Sequence, residues 1–337
     1  MKIAIIGAGI CGTYLAAKLA QKGNEVIVFE KRKTVGKECC SGLFSSRLFE
    51  FIPEARPLVT NTINGCVVNF PKKTVRLNFK QPFSVIEHSQ LDLLSASLAS
   101  LAGAYIRVNE PVAGKRFDDL LRQYDRIVGC DGALSPTRNY LLQFSGGSGG
   151  PTPAKESRGL DPRAKPRIKF YLGVQGFEQK NDDSDLVETW ATQNGFIWRI
   201  PRGQSVEWGI MEKPDIAPKL FNEFIAQKNI EIGGLKSAII PQGLILPKNE
   251  RITLCGDASG LTKPWSGGGV IWNLTQAGFL LKNFPNFIQY RQEASSFFNL
   301  RFLVGKLGKF GAYTAGYKFP WLLPGMVAMD GDYLLKK

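Results

Sequence analysis

The chain has one histidine, and none of its six cysteines forms a CxxC pair, so no metal site is expected. No apolar run reaches the roughly 18 residues that a membrane-spanning helix needs. Internal repeats, paired-carboxylate motifs and nucleic-acid-binding motifs are also missing. Acid is scarce relative to base, with 43 Lys and Arg against 29 Asp and Glu and a formal net charge of +14. A basic balance of this size favours an anionic partner. The basic residues are dispersed, so nucleic acid is not expected; an anionic membrane surface or a phosphate-bearing substrate is. The first strand starts at Lys2, so no leader is expected, and the cysteine usage suits a reducing compartment. The adjacent pair Cys39 and Cys40 cannot easily bridge in ordinary backbone geometry. A cytoplasmic location is therefore expected. Cys11, Cys130 and Cys255 read as small core residues.

What is present is a dinucleotide fingerprint. Lys2 to Ile6 is a short apolar run that reads as a buried parallel strand. Gly7, Gly9 and Gly12 follow at GxGxxG spacing, and Ile10, Leu15, Ala16, Leu19 and Ala20 give a helical apolar face. A second strand, Glu25 to Phe29, ends at Glu30, about 20 residues after the glycines, where a ribose-binding acid belongs. Gly7 permits the tight turn, Gly9 lets backbone approach a pyrophosphate, and Gly12 lets helix pack on strand. The free N–H groups of the helix N-terminus favour the phosphates. This motif does not choose between a flavin and a nicotinamide dinucleotide.

Two later motifs choose. Strand-like DRIVG runs into Asp131-Gly132, and RITLC runs into Gly256-Asp257. Acids at strand ends of a doubly wound sheet lie where ligands bind, and Asp257 can hydrogen-bond a ribityl chain. Gly267, Gly268 and Gly269 open an apolar helix, Val270 to Leu280. Bare backbone there suits the electron-rich edge of a reduced flavin.

With these motifs in place the chain resembles the geranylgeranyl reductase family, FAD enzymes on the p-hydroxybenzoate hydroxylase-type fold that saturate isoprenoid double bonds. The resemblance covers most of the chain. It rests on GAGICG, on KECCSGLFS (37–45), on DGALSPTR, on GFIWRIP (195–201) and on GDASGLTKPWSGGG. It implies an α/β fold: a Rossmann-like FAD-binding domain, an antiparallel β-sheet substrate domain and a C-terminal helical segment. It implies that Cys40 of Cys-Ser-Gly lies at the flavin face as a catalytic residue, with Cys39 pointing away. Lys31, Ser41 and Gly42 would join Gly7, Gly9, Gly12, Glu30, Asp131, Gly132, Asp257 and Gly267 to Gly269 around the cofactor. Phe196, Trp198, Pro264 and Trp265 would line the substrate cavity. The family's flavin-holding Arg is replaced here by His88, which either donates weakly to the cofactor or sits on the surface beside a helix that Ser89 caps. The electron donor implied is NADPH, NADH or ferredoxin; no second GxGxxG is present for a nicotinamide.

The FAD-binding domain is expected from residues 1–60, 85–142 and 248–284, and the substrate sheet from 61–84 and 167–247. Residues 143–166, with the low-complexity run SGGSGG, read as a flexible linker. The helix after Ser89 is expected to bury Leu91, Leu94, Leu98 and Leu101. Trp190 is expected in the sheet, facing either its core or the substrate. Residues 285–337 are aromatic and basic, which suits a membrane interface or a prenyl-chain tunnel. The function expected is hydride transfer from reduced flavin to prenyl-lipid double bonds, with Cys40, water or the flavin supplying the proton. One alternative is a flavin monooxygenase or halogenase. GFIWRIP resembles the halogenase Trp-x-Trp-x-Ile-Pro motif, but no lysine is assigned to the halogenase tunnel role. The other is a flavin-loaded prenyl-lipid carrier without catalysis.

Overall fold

The computed structural model describes residues 1–36, 39–143 and 168–334. Two residues of the KECCSGLFS segment and all but the first residue of the expected linker lie outside the described residues. The chain opens with β1 (Lys2–Ile6), α1 (Ile10–Ala20) and β2 (Glu25–Phe29), as the pattern predicts. There follow β3 (Leu43–Ser45), α2 (Leu48–Phe51), the hairpin β4 (Val59–Phe70) and β5 (Lys73–Ile86), α3 (His88–Leu101), β6 (Tyr105–Arg107), α4 (Arg116–Gln123), β7 (Arg126–Gly129) and α5 (Pro136–Gln143). The second half holds β8 (Lys169–Glu178), β9 (Leu186–Ala191), β10 (Phe196–Pro201), β11 (Val206–Glu212), α6 (Ala217–Gln227), β12 (Gly233–Gln242), β13 (Ile252–Leu254), α7 (Val270–Asn283), α8 (Phe287–Lys318) and β14 (Met326–Met329).

Five parallel strands form a Rossmann-like sheet in the order β13-β7-β1-β2-β6. Both faces are covered, which explains the unbroken apolar strands. Ile3, Ile5, Val26 and Val28 pack with Leu15 and Leu19 of α1 and Trp272 and Leu280 of α7. Ala4, Ile6, Ile27 and Phe29 pack with Phe117 and Leu120 of α4 and Tyr140 of α5. The chain leaves β1 towards β2 on one side and reaches β7 on the other. The crevice at the ends of β1 and β7 is thus a topological switch point.

The second sheet runs β12-β8-β11-β10-β9-β4-β5-β14, with β3 on β5. It is antiparallel except where β4 meets β9 and β5 meets β14. Strand alternation divides its aromatics. Phe196, Trp198 and Ile200 of β10 face inward with Ile63, Phe83, Val187 and Met211. Ile197 and Trp190 face outward, where Val206, Trp208 and Ile210 pack against Phe221 and Ile225 of α6. Trp190 therefore stacks on Trp208 at 5.8 Å between ring centres and takes no part in the cavity.

Two local expectations are corrected. Ser89 does not cap α3; the cap position is Glu87, and the Ser89 hydroxyl donates to the Glu87 carboxylate at 2.7 Å. Leu101 is 82% exposed, and the buried face of α3 is His88, Leu91, Asp92, Ser95, Ala96 and Ala99. The reason is close packing of α3 on α1, where Thr13 and Ser95 hydroxyls meet at 2.7 Å. Ser95, Ala96 and Ala99 permit that approach, while Leu91 is buried and Leu94 and Leu98 are half-buried beside it. The C-terminal segment is one long helix, α8, and then returns through β14 to the edge of the second sheet.

Candidate functional site

The crevice at the switch point opens into a cavity of about 1070 Å³ that runs on between the inner face of the second sheet, α8 and β14. Gly7 sits at φ +103°, and a Cβ there would lie 2.4 Å from the Cys130 carbonyl oxygen. A Cβ on Gly12 would lie 2.1 Å from the Gly7 carbonyl oxygen, so this glycine sets the α1–β1 approach and stays behind the cavity wall. Gly9 is the N-cap of α1. A Cβ there, or on Gly132, would meet nothing within 4 Å, so each α-carbon faces open space that a bound group can use. Glu30 is buried at the end of β2 and accepts from the Ala8 N–H at 2.8 Å and the Arg32 N–H at 2.9 Å. That fixes its carboxylate at the cavity rim beside Lys31.

Asp131 and Asp257 both line the cavity. Asp131 accepts from Ser135 and from the Thr137 N–H at 2.8 Å and hydroxyl at 2.7 Å, so it also anchors the start of α5. Burial pushes its carboxyl up, against these hydrogen bonds. Asp257 accepts from the Asn273 amide at 2.8 Å. Gly267, Gly268 and Gly269 line the cavity at the N-terminus of α7, as expected. At Gly267, with φ +69°, a Cβ would lie 2.5 Å from the Met211 sulfur.

The Cys-Ser-Gly segment forms part of the cavity wall. Cys40 and Ser41 line the cavity, and so does Cys39, which was expected to point away. Gly42 lies behind, at φ +60°, and a Cβ there would lie 2.2 Å from the Ile86 carbonyl oxygen. Residues that sequence reasoning missed hold this segment in place. Gln175 of β8 donates to the Cys40 carbonyl at 3.2 Å. Arg202 donates to the Ser41 carbonyl at 2.8 Å and to Glu207 at 2.6 Å. Glu207 of β11, wholly buried, also accepts the Trp198 indole N–H at 2.9 Å. Burial pushes its carboxyl up to about 7, against the opposing pull of Arg202 and Trp198. Gly209 leaves room for the Trp198 ring, 2.3 Å from where its Cβ would be.

His88 is not on the surface. It is buried in the cavity wall on the first turn of α3, with Nε2 3.4 Å from the Asp92 carboxylate one turn on and the Phe44 ring at 5.6 Å. Burial pushes its imidazole down, but Cys40 and Asp92 outweigh that and carry it up to about 10.

Phe196, Trp198 and Trp265 line the cavity, while Pro264 lies behind it, against Gly305 of α8. A lysine that the sequence did not single out stands on the wall. Lys263 is buried there, and its ammonium donates to Asp332 at 2.9 Å and to the Gly331 carbonyl at 3.2 Å. Asp332 also accepts from Arg47 at 2.9 Å. The far arm of the cavity is lined by Val68, Phe70, Leu77, Phe79, Ala312, Tyr313, Leu323 and Val327. Lys309 reaches that arm and donates to the Asn194 carbonyl at 2.6 Å; burial pushes its ammonium down to about 8, against the pull of Glu212.

Residues 5–50 match the NAD(P)-binding Rossmann-like domain family model. The chain is 23% identical over 314 residues to a digeranylgeranylglycerophospholipid reductase of Methanothrix thermoacetophila, covering 82% of this chain and 75% of that protein. A second such reductase, from Methanococcoides burtonii, is 24% identical over 313 residues, with 82% and 72% covered. Among solved structures, a geranylgeranyl bacteriochlorophyll reductase-like protein of Thermoplasma acidophilum superposes with a TM-score of 0.72 at 18% identity, over 92% of this chain and 86% of that one. A flavin-dependent brominase variant superposes with a TM-score of 0.66 at 14% identity, over 95% and 92%.

Proposed function

We propose that this chain is an oxidoreductase of the geranylgeranyl reductase family, which binds FAD and saturates the carbon–carbon double bonds of prenyl lipid chains, a reading supported by its similarity to the archaeal reductases. The observation that carries the reading is the continuous apolar arm running from the flavin cradle to α8 and β14. Its Val, Leu, Phe and Trp lining suits a branched hydrocarbon and excludes water. Gly7, Gly9 and the α1 N-terminus would take the pyrophosphate, Glu30 the adenosine ribose, Asp257 the ribityl chain, and Gly267 to Gly269 the ring edge. When bound and reduced, FAD supplies the hydride. The protein's part is to hold the chain in contact with the ring. Trp198, pinned by Glu207, and Phe196 form one wall of that contact; Cys40 holds a proton at the junction of cradle and arm.

The lipid would enter from a membrane. Leu300, Leu303, Leu307 and Phe310 recur along one outward face of α8, all more than half exposed, and Trp321 and Leu322 after the helix are exposed as well. Lys306 and Lys318 are exposed beside this face. An apolar stripe edged with lysine matches an anionic bilayer interface, and no helix among the described residues is long and apolar enough to cross one. A halogenase reading needs a free lysine over the ring, and Lys263 is committed to Asp332.

Anaerobic incubation of dithionite-reduced protein with geranylgeranyl lipids, followed by mass spectrometry, tests the proposal. Products that gain two hydrogens per double bond support it. Oxygen-dependent turnover with no alkene reduction would point to a monooxygenase, and tight lipid binding with no reduction to a carrier.

A further inference from the structure

Building on the FAD reading, we propose that Lys263 supplies the counter-charge for the negative charge that the cofactor gains on reduction, and that Asp332 holds the ammonium in place for it. Lys263 belongs to the same turn as the cradle glycines. Its carbonyl accepts from the Gly267 N–H at 2.9 Å, and its N–H donates to the Gly268 carbonyl at 3.1 Å. The side chain doubles back against Gly268. The three atoms nearest to where a Cβ on Gly268 would stand are Lys263 Cε at 3.1 Å, Lys263 Nζ at 3.4 Å and Ser266 Oγ at 3.4 Å. No atom of Asp332 is among these three, so the ammonium stands on the glycine side of the pair. Lys263 is buried and lines the cavity. Asp332, wholly buried, accepts from the ammonium at 2.9 Å and from Arg47 at 2.9 Å, and its backbone carbonyl accepts the Trp272 indole N–H at 2.9 Å. The Gly331 carbonyl takes a second ammonium proton at 3.2 Å. Burial pushes the Asp332 carboxyl up, but Lys263 and its other partners outweigh that and hold it below the ordinary carboxylate range. The pair is therefore ionic at neutral pH, and the ammonium cannot swing away without giving up both bonds.

The arrangement answers a charge problem at the cradle. Asp257 already places a carboxylate there, since a Cβ on Gly269 would lie 3.0 Å from its Oδ1. Two-electron reduction of a flavin with uptake of one proton leaves one further negative charge at the ring. The N-terminus of α7 offers only about half a positive charge against the two. A whole charge on Lys263 offsets the rest, and in a buried place it is screened far less than in water. Lys263 and Arg47 with Asp332 and Asp330 form a joined group holding two charges of each sign. The fold can thus bury the lysine in a group without net charge. What a bound ring feels is set by order, with the ammonium against the glycine turn and the carboxylate behind it. This is the kind of tuning that a protein adds to a cofactor's own chemistry.

The test reads the reduction equilibrium and needs no alkene turnover. The FAD-loaded protein is reduced anaerobically with dithionite in small steps beside a redox dye of known potential. Absorbance gives the fraction of each that is reduced, and so the equilibrium constant between them. Lys263→Met removes the cation and leaves Asp332 paired with Arg47. It should lower the constant about tenfold, a potential more negative by about 30 mV for a two-electron couple. Asp332→Asn keeps the cation and removes the charge behind it, so it should raise the constant severalfold. A role in packing alone would move both variants the same way. Opposite shifts support the proposal. A Lys263→Met constant within twofold of the parent, or shifts of one sign in both variants, would overturn it. If the Lys263→Met chain does not keep FAD, the Asp332→Asn constant decides alone: a rise supports the counter-charge, and a fall or no change overturns it. If the constants separate as expected but no prenyl lipid is reduced, the substrate reading falls while the role of Lys263 stands.

Discussion

Replacing Glu207 by Gln should loosen the Trp198 wall and the Cys-Ser-Gly segment together. The Glu207 carboxylate is 0% exposed and accepts from Trp198 at 2.9 Å and Arg202 at 2.6 Å, while Arg202 reaches on to Ser41. Glutamine keeps one acceptor, turns an N–H₂ group towards one of two donors, and leaves the guanidinium, 11% exposed, without its counter-charge. Breaking such a buried pair costs about 3–5 kcal/mol. Because burial carries the native carboxyl up to about 7, part of that pairing is already lost near neutral pH, and a penalty of about 2–4 kcal/mol is the better expectation. Unfolding entropy of about 2.1 cal/mol/K per residue, taken over the 337 residues, converts this to a Tm lower by about 3–6 °C. Thermal unfolding followed by circular dichroism measures it, and flavin content after gel filtration should fall with it. Adding Arg202→Gln should restore part of the loss, because the two residues act as a pair. A Tm within about 1 °C of the parent, or losses that simply add in the double variant, would refute the reasoning.

Glu30→Ala removes the acceptor that fixes the Ala8 and Arg32 amides, so the purified variant should lose FAD on dilution, read as lost yellow absorbance, with the chain still folded. Cys40→Ala should lower single-turnover alkene reduction far more than Cys39→Ala, both retaining flavin; equal losses would reduce Cys40 to a packing role. Cosedimentation with anionic liposomes should be strong at low salt and weaken as the Debye length shrinks to about 3 Å near 1 M. Phe310→Ser with Trp321→Ser should remove the salt-resistant remainder, at least tenfold in affinity if each ring buries a side chain worth about 1.5–3 kcal/mol.

The parallel half of the fold was legible because its signals are local. An apolar run, glycines at fixed spacing and a terminal acid each dictate their own backbone, and β1, α1 and β2 form where they are written. Phe196 and Trp198 were expected on the cavity from the resemblance alone, and only the register with β11 reveals that Glu207 lies near Trp198 and Arg202. Contacts between distant segments left no local trace. Lys263 meets Asp332 69 residues on, and Gln175 meets Cys40 135 residues back. Of the four α3 leucines only Leu101 misled, since it lies in solvent at the end of the helix, while Leu91 is buried and Leu94 and Leu98 are half-buried against the same cluster. The sequence left His88 between a cofactor donor and a surface residue, because a single polar side chain at a helix start carries no sign of what will pack over it; the structure buries it in the cavity wall. Pro264, inside a glycine-rich motif, faces α8 because Gly305 makes space for its neighbour Trp265.

The most direct test of the central claim is an anaerobic single turnover. The protein is photoreduced until its flavin bleaches, mixed with one equivalent of a geranylgeranyl lipid, and followed by flavin absorbance and by lipid mass. The account predicts that the yellow absorbance returns as one double bond per flavin is saturated. Flavin that stays bleached while the lipid is bound and unchanged would contradict it.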